Sequence, residues 1–69
     1  MGATKIIKQL LIERNMTIKS LAERLGIQPQ SMSNKIYRDT FSYEEVEKIA
    51  DILDCDVAII TRDTKKEFR

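Results

Sequence analysis

The sequence holds no histidine, one cysteine, one proline and two glycines in 69 residues. Without histidine there is no imidazole for acid–base catalysis near neutral pH, and no His-containing zinc site. Cys55 stands alone, so no internal disulfide can form, and no base lies beside it to make it a nucleophile. It reads as a structural residue. Two glycines cannot build a glycine-rich phosphate loop. No apolar run approaches the ~20 residues that span a bilayer. The N-terminal run Leu10, Leu11 and Ile12 is too short for a secretory signal. Internal repeats, low-complexity segments and interdomain linkers are also absent. These absences lead to the expectation of a cytoplasmic chain with no membrane partner, no metal, no cofactor and no small-molecule substrate. No residues can be named for an enzyme: Glu44, Glu45 and Glu47 point in different directions around a helix and read as a solvated face.

What remains is an ordinary globular balance, 33% charged and 42% hydrophobic. Length supports a single domain over residues 1–69. A chain this short buries only ~60% of its unfolded surface, so its stability is expected to be modest unless it associates. The net charge of +1 says little by itself. Its distribution says more. Residues 14–38 carry Arg14, Lys19, Arg24, Lys35 and Arg38 against Glu23, a net +4. Residues 39–56 carry seven carboxylates against Lys48, a net −6. A polyanion would be met by the first segment and avoided by the second.

Capping and periodicity divide the chain into helices. Thr4 is placed to cap a first helix over about 4–15, where Ile6, Ile7, Leu10 and Leu11 repeat at three and four and the Arg14 stem extends the stripe. Ile12 lies off that stripe, and Asn15 suits a left-handed stop. Thr17 caps a second helix over about 17–25, with Ser20 where a capping box carries Glu or Gln. Leu21, Ala22 and Leu25 share one face of it. Gly26 follows, where positive φ is needed, and Ile27 can plug the corner. Pro29 opens a third helix over about 29–37 at a position where its missing N–H costs nothing. Met32 and Ile36 form its inner face. Phe41 reads as a plug under the next loop. Ser42 and Glu45 make a complete capping box for a fourth helix over about 43–54, with Val46, Ile49, Ala50 and Leu53 inward. Residues 57–61 are short, apolar and β-branched, which predicts a strand over about 57–62. Residues 66–68 can return as a second.

A small residue, Gly four positions on, one apolar residue and a new helix is the pattern of a helix-turn-helix. Through Leu21, Ala22, Leu25, Gly26, Ile27, Ser31, Met32 and Ser33 the chain resembles the Cro/lambda-repressor (XRE-type) helix-turn-helix class, over roughly residues 4–54. The resemblance implies a mainly α fold, a four-helix lambda-repressor-like domain with a short C-terminal β-strand or hairpin. It departs from the class in three places. Ile18 replaces a phosphate-contacting Gln, Lys35 replaces an apolar residue, and Pro29 replaces a residue that often reaches DNA.

The resemblance implies double-stranded DNA as partner, with the start of the third helix entering the major groove. Carried over, the base contacts are Gln30 and Asn34, then Gln28 and Ser33, since Gln and Asn can pair with adenine N6 and N7. Phosphate contacts fall to Thr17 and Lys19 at the start of the second helix, to Ser31, which could instead cap the third, and to Lys35, Tyr37 and Arg38 at its end. Similarity to phage Cro repressors in length and layout implies a homodimer through the C-terminal strand. That strand could also fold back on its own helices. Two functions remain open: a sequence-specific transcriptional regulator, expected to be a repressor, or a protein-interaction module using the C-terminal strand.

Overall fold

The computed structural model describes residues 2–69. Four helices, α1 (Thr4–Glu13), α2 (Ile18–Leu25), α3 (Pro29–Arg38) and α4 (Tyr43–Ile52), precede two short strands, β1 (Ile59–Ile60) and β2 (Glu67–Phe68). The core is built from one stripe on each helix: Ile7 and Leu11, Leu21 and Ala22, Met32 and Ile36, then Ile49 and Leu53. Leu10, Leu25, Ile27 and Phe41 pack around it, half-buried. Ala22 is fully buried, and its small size lets α2 lie close to its neighbours. α2 is the hub, packing against both α3 and α4.

All four helices stop the same way. Asn15, Gly26, Asp39 and Asp54 take positive φ of 53°, 75°, 57° and 59°. The residue after each donates its N–H to a carbonyl five positions back: Met16 to Leu11, Ile27 to Ala22, Thr40 to Lys35 and Cys55 to Ala50, at 2.8–3.3 Å. This is the Schellman closure, which satisfies carbonyls the helix leaves open. Met16, Ile27 and Cys55 then pack against the core, and the Cys55 thiol also donates to the Leu53 carbonyl at 3.4 Å. Asn and Asp take the left-handed conformation more readily than other non-glycine residues, so one glycine, Gly26, suffices for the four closures.

The helix starts differ. Thr17 accepts from the Ser20 N–H at 3.1 Å. Ser42 and Glu45 form the full capping box. The expected cap at Thr4 is not made: Thr4 is already helical, and Ala3 precedes it with no side-chain bond. The Thr4 N–H instead donates to Asp39 Oδ1 at 3.1 Å, and its hydroxyl donates to the Ile36 carbonyl at 3.3 Å. One carboxylate at the end of α3 therefore caps α1.

Three further expectations change. Ile6 is 60% exposed, because α1 buries only the narrower Ile7 and Leu11 edge of its stripe. Arg14 is also exposed, its guanidinium donating to the Asp54 carbonyl at 3.4 Å. The strand expected over 57–62 shortens to two residues, paired antiparallel within the chain, Ile59 with Phe68 and Ile60 with Glu67. Residues 57 and 58 instead line a groove against α1 and α4 with Ile6, Leu10 and Val46.

Candidate nucleic-acid interface

α3 has two unlike faces. Met32 and Ile36 point into the core. Gln30, Ser33, Asn34 and Tyr37, spaced at three and four, make one exposed stripe opposite them. Pro29 at the first helical position sets the entry, and Gln28 precedes it in extended conformation without a side-chain cap. Ser31, a candidate cap, makes no such bond and is exposed. The Asp39 closure ends the helix after Arg38.

Gln30 Nε2 donates to Asn34 Oδ1 at 3.2 Å, across one turn. The bond fixes both amides relative to each other. It leaves Gln30 Oε1 as an acceptor and Asn34 Nδ2 as a donor on two exposed residues of adjacent turns. Tyr37 continues the stripe and is 90% exposed. Nothing from the C-terminal hairpin covers these side chains, which all remain exposed.

Of the other expected contacts, Thr17 and Lys19 are exposed at the start of α2, although the Thr17 oxygen is engaged with Ser20. Arg38 is exposed at the end of α3. Lys35 is set apart from this group. It is partly buried, and its Nζ lies 2.5 Å from Glu45 Oε2 on α4. Lys35 and the Ser42 N–H hold the Glu45 carboxyl below its ordinary range. Likewise Thr4, whose backbone N–H donates to it, holds Asp39 below its ordinary value. Ile18, standing where the class carries Gln, is half-buried against the core and presents nothing polar.

Sequence reasoning missed Asp39 and the Lys35–Glu45 pair. For the second a signal existed: a lysine three residues from buried Met32 needs an anion if its stem turns inward. For the first, no pattern within one element connects Thr4 to a residue 35 positions on.

Among the described residues, no helix is long and apolar enough to cross a membrane. The family model described as Cro/C1-type HTH DNA-binding domain matches residues 6–63. No curated protein and no solved structure matches the chain.

Proposed function

The chain belongs to the Cro/C1-type helix-turn-helix DNA-binding family, and from that premise we propose that it is a sequence-specific transcriptional regulator, a repressor, acting in the cytoplasm. The observation that carries this reading is the exposed stripe Gln30, Ser33, Asn34 and Tyr37 on a helix whose opposite face is buried. A helix so anchored can enter the major groove side-on without losing its core contacts.

The chemistry follows from the amides. Gln30 Oε1 can accept from an adenine N6–H, and Asn34 Nδ2 can donate to an adenine N7. Their mutual hydrogen bond fixes the pair before DNA arrives, so less side-chain freedom is lost on binding. Gln28 and Ser33 flank them as secondary base contacts. Tyr37 at the end of the stripe, together with the exposed Thr17, Lys19, Ser31 and Arg38, can meet phosphates, which set affinity and register. One such helix spans few base pairs. A homodimer through the C-terminal hairpin would present two helices about 34 Å apart to a near-palindromic site.

Gln30→Ala is expected to weaken binding to a selected duplex by roughly 1–3 kcal/mol while leaving random duplex nearly unaffected. Competition binding on both duplexes checks this, and equal losses on the two would remove Gln30 from base readout. A second reading, a protein-interaction module, draws support from the exposed Ile59, Ile60 and Phe68 of the hairpin. A titration with mixed-sequence DNA at low salt separates the two, since a phosphate-driven binder must bind there.

A further inference from the structure

Lys35 sits on α3 between the exposed stripe and the buried face. It lines a largely apolar pocket with Leu25, Ile27, Met32, Phe41 and Ile49, which Glu45 and Lys48 of α4 also border. The charged head leaves the pocket partly exposed and meets an anion held at a fixed place. Glu45 supplies it. The Glu45 Oε1 already accepts from the Ser42 N–H at 2.9 Å, and the Ser42 hydroxyl accepts from the Glu45 N–H at 3.2 Å. The capping box therefore holds this carboxylate in place, and Oε2 is the oxygen left over for Lys35. α2 packs on both α3 and α4, whereas α3 and α4 lie less closely against each other. The ion pair is a direct tie between those two helices across the pocket.

We propose that Lys35 is a positioning residue for DNA recognition rather than a phosphate ligand: Glu45, fixed by the cap of α4, grips Lys35 and sets the rotation of α3 about its own axis. This rests on the DNA-binding reading above. Rotation is the coordinate that matters, because Gln30 and Asn34 lie on the stripe next to Lys35. A small turn of α3 swings both amides away from the base edges while leaving the phosphate contacts of Thr17 and Lys19 on α2 in place. A lysine neutralised by its own protein releases no counterion from DNA. A true phosphate ligand contributes about 0.9 to the slope of log K against log salt.

The test uses the full chain and a duplex selected by it from a randomised pool. Wild type, Lys35→Met, Lys35→Arg, Glu45→Gln and the Met/Gln double variant are titrated on selected and random duplexes from about 50 to about 200 mM salt. Met keeps the stem in the pocket, and the Gln amide oxygen can still accept from Ser42, so each fold is retained and checked by circular dichroism. Lys35→Met and Glu45→Gln are each expected to lose roughly fivefold on the selected duplex, with little change on random duplex and an unchanged salt slope. The double variant should be no worse than either, and Lys35→Arg should recover most of the loss. The role is overturned by a slope reduced by about 0.9 with equal losses on both duplexes in Lys35→Met, or by tighter binding with a steeper slope in Glu45→Gln. Additive losses in the double variant also overturn it. Failure of wild type to bind any duplex would sink the DNA reading itself, a result distinct from these.

Discussion

Gly26 has no atom within 4 Å of the place a Cβ would occupy, and its φ is 75°. Replacing it therefore meets no steric neighbour, only the backbone penalty of a left-handed residue. Gly26→Ala is expected to destabilise the fold by roughly 1–2 kcal/mol, and Gly26→Asn by less, measured by urea unfolding. If Ala were neutral, the turn must shift its backbone to accommodate it. Residues of this kind were legible in the sequence because their partners lie close along the chain. Thr17 with Ser20, and Ser42 with Glu45, are three residues apart and announce themselves as caps. Asp39 and Lys35 were not legible in their actual roles. Their partners, Thr4 and Glu45, sit on other helices and become neighbours only once the core has packed. Ile6 fails for a related reason: periodicity gives the direction of a stripe but not how wide an edge the neighbouring helices will cover.

At the scale of elements, helix ends carry much of the order. Four Schellman closures set where α1 to α4 stop, and three of their following residues plug the core. The first and last of these helices end slightly before the bounds expected from apolar spacing, because the left-handed residue lies outside the helix it closes. Helix starts are more exposed to pH. Asp39 caps α1 and Glu45 caps α4, and both carboxyls are held below their ordinary values of 3.8 and 4.5. A carboxyl whose pKa is lower in the folded chain binds its proton more weakly there than in the unfolded chain. Its contribution is thus full above the ordinary value and lost as pH falls through the folded value. The melting temperature should be flat from about pH 7 to about pH 5 and drop below about pH 4. Asp39→Asn keeps the left-handed tolerance but not the charge. It should melt below wild type near neutrality and converge on it in acid. A constant offset at every pH would show that the carboxylate charge at α1 contributes nothing.

On the scale of the whole molecule, the chain extends 41 Å along its longest axis against 22 and 19 Å across the others. The hairpin adds apolar surface that its own helices leave uncovered: Ile59, Ile60 and Phe68 are 65%, 53% and 52% exposed. Two strands of two residues are marginal alone in water, and each keeps one unpaired edge. The β-branched run pointed to a strand in the sequence, but where it would pair depended on tertiary geometry. Within the chain β1 takes β2 as its partner, and a second chain would have to add to an outer edge or cover the apolar face. The charge split suits such an assembly, since the basic segment 14–38 carries α3 and its exposed stripe, and the acidic segment 39–56 leads away toward the hairpin. If a second copy covers the hairpin, wild type should sediment at twice its 8.0 kDa mass. The combined substitution Ile59→Thr and Phe68→Thr keeps strand preference and adds no charge. It should yield a monomer whose binding to an isolated half-site is unchanged, while its affinity for the full near-palindromic site falls by at least tenfold. A variant that stays monomeric yet binds the full site as wild type does would place the hairpin outside DNA recognition, and would turn attention to another protein as the occupant of that face.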